Sequence, residues 1–369
     1  MPSVTSVGFH NSPAPWACMV NQALTCFLIM SISAMPGFVN AQTCPGKQWE
    51  VTTPSSSGWS EQQLGELEKV LKSLDTTALV VAHRGKIVFE YGRVTSSMNI
   101  HSARKSMMSI LYGIATDKGQ AKLDATVGDL GIDDRQGLTD VEKTATVKNL
   151  LEARSCIYHE AEYETDGMKA KRPVRHSCKP GEQWYYNNWD FNALGTAYQK
   201  QTGKTVFEGF NDELAKPLVF ENFNPFFDTQ FVGGATSRHP AYTIRLSAHD
   251  FARVGLLMSR SGNWCGKQLV SSSWVADSTT TISATDRGAS VGYGYLWWTS
   301  PNNTQFNYKF PGKVFSARGH LGQYLLVEPD ADLVIAHLTD GDLKLKRQVS
   351  STDFGKIVKA TMAAMPQSK

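Results

Sequence analysis

No lysine, arginine, aspartate or glutamate occurs before Lys47. Charged residues make up 19% of the whole chain, so this opening is compositionally set apart. Within it, 23–34 (ALTCFLIMSISA) is mostly apolar, but too short for a spanning helix, which needs about 20 residues. Pro36, Gly37 and then Val39-Asn40-Ala41 follow, a small-residue pattern that suits signal peptidase. The expectation is a secretory signal over 1–41, a mature chain from Gln42, and a secreted or periplasmic location. The basic n-region usual in such signals is missing, and a start at Met19 would not restore it. Retention as a membrane anchor is the alternative.

Other absences narrow the function. No C-x-x-C or H-E-x-x-H spacing is present, so no metal site is expected. A net charge of only +3 gives no reason to propose nucleic acid or an anionic membrane as partner. Internal repeats, coiled-coil heptads and a low-complexity tail are all missing. Of six cysteines, Cys18 and Cys26 would leave with the signal. Cys44, Cys156, Cys178 and Cys265 remain, an even number that permits disulfides in an exported protein. Cys156 and Cys178 flank one loop-rich stretch and are the first pairing to expect, which leaves Cys44 for Cys265. Four cysteines allow three connectivities, and the sequence does not choose among them.

The segment 60–74 (SEQQLGELEKVLKSL) has the pattern of an amphipathic helix. Two β-branched runs on either side of Arg84-Gly85-Lys86 suggest a hairpin. Helical segments are expected at 146–154, 188–202 and 205–218, joined by long loops. After the break Val232-Gly233-Gly234-Ala235, a helix over 247–259 begins with Ser247 as cap and Asp250 three residues on, a variant of the capping box. GYGYLWWT, VFSARGHLGQYLLVEP and ADLVIAHLT read as three strands, and a helix over 351–364 closes the chain. Strands at both ends around a helical middle imply an α+β fold, an antiparallel sheet flanked by helices with a helical lobe inserted. The α/β lobe would take 42–122 and 236–369, and the helical lobe 123–235.

Three stretches carry chemistry. In the first, a helix opens at Ser102 and closes on Gly119, with Met108, Leu111, Tyr112 and Ala115 at buried spacing. Ser102 and Lys105 stand three apart in its first turn. Ser102 alone would be an ordinary N-cap and Lys105 a solvated charge. Yet Arg104 and Lys105 both oppose the helix dipole there, so something else holds them. A serine hydroxyl needs a base, and a lysine amine serves once its pKa is depressed. The second stretch, 179–188, is a Pro-Gly turn feeding an aromatic segment, with Tyr186 and Asn188 two apart at the mouth of a helix. For Trp184 and Tyr185 a core role suffices. The third is Arg318-Gly-His-Leu-Gly-Gln323, where a glycine in a strand permits close approach of a ligand.

Taken together and in this order, these stretches resemble the serine β-lactamase and penicillin-binding-protein superfamily, closest to its class C-like branch of esterases, D-aminopeptidases and nylon-oligomer hydrolases. Ser102-x-x-Lys105 matches the first motif and is the sole S-x-x-K in the chain. Tyr186-Asn187-Asn188 matches Y-x-N, and His320-Leu321-Gly322 matches K/H-x-G. The likeness extends over about 76–340. It implies the β-lactamase/transpeptidase-like fold and a Ser102 acyl-enzyme, with Lys105 taking the proton, alone or with Tyr186 as a phenolate favoured by the lysine ammonium. Asn188 would orient Lys105 and a polar group of the substrate. An oxyanion hole would form from the backbone N–H groups of Ser102 and Gln323, beside His320 and Gly322. No cofactor is implied, and the partner is a small-molecule or peptide-like ester or amide substrate.

Departures from the pattern bear on substrate. The third motif commonly begins with Lys, whose cation holds a substrate carboxylate. Here it begins with His320, and imidazole is a weaker anchor near neutral pH. This ranks an ester or amide above a β-lactam. Cys156 stands where such proteins would carry Gly, and a Cys156–Cys178 bridge would stiffen the loop bearing Tyr158, His159, Glu160 and Tyr163, candidates for substrate contact or for structural roles. The alternatives are a β-lactamase or D-amino-acid peptidase acting on cell-wall peptides, and a penicillin-binding sensor that acylates without turnover.

Overall fold

The run ALVVAH is buried at every position, and its alternate residues face two separate cores. Ala78, Val80 and Ala82 enter one, while Leu79 and Val81 enter the other. A strand covered on both faces must be apolar throughout, which explains the lack of polar alternation. This strand, β1 (Ala78–His83), lies inside an eight-stranded antiparallel sheet seen in a computed structural model that describes residues 43–343 and 348–366. Its neighbours are β2 (Lys86–Gly92), β3 (Ser283–Ala284), β4 (Gly292–Tyr293), β5 (Trp298–Thr299), β6 (Phe315–Gly319), β7 (Gln323–Glu328) and β8 (Leu333–Leu338). The spatial order is β2-β1-β8-β7-β6-β5-β4-β3, so the two ends of the chain build one sheet.

Helices cover both faces. On one, α1 (Glu61–Lys72) packs against the C-terminal helix α5 (Ser351–Ala364), and both set Leu64, Leu67, Phe354 and Ile357 against Leu79 and Val81. Ser60 caps α1 by accepting from Gln63 N–H. On the other face α4 (Ala248–Ser259) lies over β8, β7 and β1. There too α2 (Arg104–Asp117) is buried from Arg104 to Ala115. It packs on α3 (Asn188–Thr202), where Tyr112 Oη donates to the Leu194 carbonyl at 2.9 Å. Shorter helices, among them Val147–Leu151 and Asp166–Lys171, fill the middle of the chain.

Several expectations need correction. The segment 314–329 is a hairpin rather than one strand, because Leu321 and Gly322 adopt φ of 67° and 107° and reverse the chain between β6 and β7. GYGYLWWT likewise gives two short strands, β4 and β5, with Leu296 at φ 62° between them. The helix from 206 breaks into a wider π-turn at Asn211–Ala215. Ser247 does cap α4, but Asp250 does not return the bond. Its carboxylate accepts from the N–H groups of Glu221 (2.6 Å) and Asn222 (3.0 Å) instead.

Both cysteine pairs form disulfides, Cys44–Cys265 and Cys156–Cys178, with Cα separations of 5.5 and 5.7 Å. The chain divides into two units, 1–41 and 42–369. The signal expected over 1–41 lies outside the described residues. Among the described residues no helix is long and apolar enough to cross a membrane.

Candidate active site

Ser102 does not open α2. It sits in a single 3-10 turn, His101–Ala103, immediately before the helix. His101 enters this turn at φ 45°, a conformation costing a non-glycine residue about 1–3 kcal/mol. Its N–H donates to Asn99 Oδ1 at 2.8 Å, which helps to hold it there. The turn packs on β6 and β7. A Cβ at Gly319 would stand 2.3 Å from the Ile100 carbonyl. The close approach expected of a ligand at this strand is thus made by the segment carrying Ser102.

Lys105 Nζ donates to Ser102 Oγ at 2.8 Å. Lys105 is only 1% exposed, and its Nζ lies 5.0 and 4.9 Å from the ring centres of Tyr186 and Phe191. Burial, and then the adjacent Arg104 cation, hold its pKa well below that of an ordinary lysine. A depressed pKa favours the neutral amine, the form that can take a hydroxyl proton. Arg104 is fully buried. It donates to the His101 carbonyl at 3.1 Å and lies between the rings of Tyr163 and Tyr242, 5.4 and 5.0 Å away. Its Nε and Nη2 have no hydrogen-bond partner. The two first-turn cations therefore point inward, one onto aromatic faces and one onto the serine.

Tyr186 precedes α3 and packs against Phe191 (4.9 Å), Trp298 (5.4 Å) and Tyr293 (6.1 Å). Burial raises its pKa, against a lowering hydrogen bond with Ser102 and the charges of Arg104 and Arg287. Both shifts favour the neutral forms, an amine and a phenol, opposite in direction to the ammonium and phenolate the resemblance implies.

Asn188 Nδ2 donates to the Tyr163 carbonyl at 2.7 Å rather than to any atom of Lys105, and its buried Oδ1 has no partner. His320 is exposed on the β6–β7 turn, with its ring 5.8 Å from that of His101. Gly322 is buried, and its carbonyl accepts from His337 Nδ1 at 2.7 Å. Gln323 is fully buried. Its side chain ties the turn to the end of β8, through Nε2 to the Thr339 carbonyl (2.7 Å) and Thr339 N–H to Oε1 (3.1 Å).

Ser102, Tyr186, His320 and Gly322 line one cleft of about 360 Å³. Lys105, Asn188 and Gln323 are buried and do not line it. Sequence reasoning missed Thr165, Met168, Arg287 and Arg318, which also line it.

The loop closed by Cys156–Cys178 contributes otherwise than expected. Cys156, in the place of an expected glycine, has φ 58°, a left-handed conformation that glycine adopts without strain. Tyr158 Oη lies 3.0 Å from Cys178 Sγ, and Glu160 is an exposed partner of Arg172 at 3.8 Å. His159 is buried away from the cleft, 3.6 Å from Glu142. Glu142 accepts from Arg175 Nε (3.0 Å) and Nη2 (2.8 Å). Burial, the largest single influence, pushes its pKa up, but the Arg175 bonds, the Thr139 N–H and the charges of Arg175 and His159 together bring it to about 2. Tyr163 alone of the four candidates nears Ser102, with Oη 3.1 Å from His101 Nδ1. Among the described residues no group of three or more His, Cys, Asp or Glu side chains is placed to hold a metal.

A family model described as Beta-lactamase matches residues 67–355. No curated protein matches the sequence. Solved structures share the fold. One is a Bacillus anthracis protein assigned as a 6-aminohexanoate-dimer hydrolase, with TM-score 0.63, 18% identity, and coverage of 89% of this chain and 91% of that one. A family VIII carboxylesterase gives TM-score 0.61 and 14% identity, covering 84% and 99%. A class C beta-lactamase gives TM-score 0.60 and 13% identity, covering 84% and 97%.

Proposed function

The chain belongs to the Beta-lactamase family, a family of serine hydrolases, and on that premise we propose that it hydrolyses an ester or amide through an acyl-enzyme on Ser102. The observation that carries this reading is a buried lysine with a depressed pKa, 2.8 Å from a serine that opens onto a cleft. Lys105 Nζ takes the Ser102 proton as Oγ attacks the carbonyl carbon. The proton then passes through Tyr186 to the leaving alkoxide or amine as the ester or amide bond breaks. Water attacks the acyl group and gives its proton to Lys105 Nζ, which returns it to Ser102 Oγ as the acyl–oxygen bond breaks and the acid leaves. Negative charge developing on the carbonyl oxygen is met by the N–H groups of Ser102 and Gln323, and loss of one such donor typically costs about 10²–10³-fold in rate.

The mature enzyme would begin at Gln42 and act outside the cytoplasm, and its two disulfides support that placement. The test is purified protein, wild type beside Ser102→Ala, on p-nitrophenyl esters, D-alanyl anilides, a linear aminohexanoate amide and nitrocefin, with intact mass recorded. Turnover of esters or amides that disappears in the variant supports the reading. Turnover confined to nitrocefin or D-peptides moves it to the cell-wall class. A stable adduct without turnover replaces it by a sensor.

A further inference from the structure

We propose that Arg104 and Tyr242 hold a small monovalent anion, chloride, in a buried site next to the Ser102–Lys105 pair, and that the anion acts on that pair. The site stands apart from the hydrolase reading, while its effect on catalysis rests on that reading. Arg104 is fully buried and is not among the residues that line the cleft. Its Nη1 donates to the His101 carbonyl at 3.1 Å, whereas Nε and Nη2 have no hydrogen-bond partner. Those two atoms form one edge of the guanidinium, the fork that grips an anion through two N–H groups. Tyr242, on the strand Ala241–Leu246, sets its ring centre 5.0 Å from Arg104 Cζ. Its Oη is buried and likewise without a partner. Burial raises the Tyr242 pKa, so the phenol keeps its proton and remains a donor.

Among the described residues no carboxylate pairs with this cation. The titratable groups that face it are His101 and Lys105 on its own segment, Tyr163 and Tyr186 on loops, and Tyr242. Two tyrosine faces stabilise the charge but leave both N–H groups unmet. A water would meet the N–H groups and not the charge, and arginine does not escape burial by losing its proton. An anion meets both, and full burial selects a small one. Tyr163 is 38% exposed and covers the guanidinium at 5.4 Å, so the way in from solvent is past its ring. Its Oη is held by His101 Nδ1 at 3.1 Å and Asn99 Nδ2 at 3.4 Å. Lys105 in turn faces Tyr186 and the apolar Phe191, with His101 and Arg104 on its own segment. After burial, the Arg104 charge is what depresses Lys105. A bound anion offsets that charge, and Lys105 then regains its proton more readily.

The experiment exchanges chloride or bromide for gluconate at constant ionic strength, in wild type, Tyr242→Phe and Arg104→Met. The expected result is a saturable rise of the wild-type melting midpoint, by about 2–4 °C, in chloride and in bromide. Crystals grown in bromide should show an anomalous peak beside Arg104 Nε and Nη2. With a p-nitrophenyl ester, chloride should move the acid limb of the kcat/KM profile to higher pH by about one unit. Tyr242→Phe should need about tenfold more chloride for the same effects, and Arg104→Met should show none of them. Tyr242→Phe removes a single hydroxyl, so it remains readable if loss of the packed Arg104 unfolds the protein. Equal melting in all three salts overturns the proposal, as does a melting shift that Tyr242→Phe leaves unchanged. A bromide peak without a melting shift marks an adventitious ion only and overturns it too. An acid limb indifferent to bound chloride removes the action on Lys105. If no ester is turned over, the hydrolase reading fails separately, and the melts and the diffraction still decide the site.

Discussion

Gly322→Ala is the substitution whose outcome the geometry fixes most closely. Gly322 has φ 107°, where L side chains are strained by roughly 1–3 kcal/mol. A Cβ there would stand 2.8 Å from Val349 Cβ, 2.9 Å from its carbonyl oxygen and 3.1 Å from Thr339 Oγ1. Carbon atoms rest at about 3.5–4.0 Å, so the turn or the 349 segment must shift by nearly 1 Å. The turn is not free to yield elsewhere. Its carbonyl is held by His337 (2.7 Å), and the Leu321 carbonyl accepts from Val349 N–H (3.3 Å). The next atom along the chain is the Gln323 nitrogen, the proposed oxyanion donor. Displacing such a group by about 1 Å costs on the order of 10²-fold in kcat, with little change in substrate binding. Stopped-flow and steady-state ester hydrolysis, with thermal melts, would read both effects. Gly234→Ala is the control, because Gly234 has φ 115° and open space around its Cβ position, so it isolates backbone strain. A folded Gly322→Ala enzyme with kcat within threefold of wild type would refute the oxyanion assignment.

Glu142→Gln should destabilise the protein by on the order of 2–3 kcal/mol at pH 7, the size of a carboxylate whose folded pKa falls from 4.5 to about 2. That contribution is fully present above the unfolded value and lost as pH falls toward 2, so urea midpoints of the two proteins should converge in acid. His83, His101 and His337 are each lowered to about 4, chiefly by burial. The unfolded chain binds their protons first, so wild-type stability should decline as pH falls from about 6.5 toward 4, and a flat denaturation profile there would contradict the buried neutral state. Arg104→Met removes the charge beside Lys105 and should raise the lysine pKa. The acid limb of the pH–kcat/KM profile then moves to higher pH, while an unmoved limb would mean that burial alone tunes Lys105.

Much of this was legible because local chemistry and tertiary placement agreed. The cap at Ser247, the helix over 188–202 and the β1–β2 hairpin follow from patterns a few residues long. The family signatures bring Ser102, Tyr186 and His320 to one cleft although they lie far apart in sequence. What the sequence concealed was conformational or long-range. Leu321, Leu296 and Cys156 carry positive φ without being glycine, so nothing in their side chains announced the reversals and the loop they form. Asp250 had the spacing of a capping box, yet two backbone N–H groups near 221 claimed its carboxylate. His159 was a candidate for substrate contact, but only the fold shows it packed beside Glu142 and Trp189.

The hidden part has a common physical cause in how positive charge is distributed. A buried lysine escapes the cost of burial by losing its proton, which is what a general base requires. A buried arginine cannot do so, and Arg104 instead rests on two tyrosine faces and one carbonyl, with two N–H groups unsatisfied. Placing the arginine one residue before the lysine makes protonation of Lys105 harder without adding a group that competes for the Ser102 proton. An acidic partner for Arg104 would have stabilised the fold, but it would also have helped to restore the lysine proton. The partnerless N–H groups of Arg104 are therefore better explained by the chemistry of the cleft than by the stability of the chain.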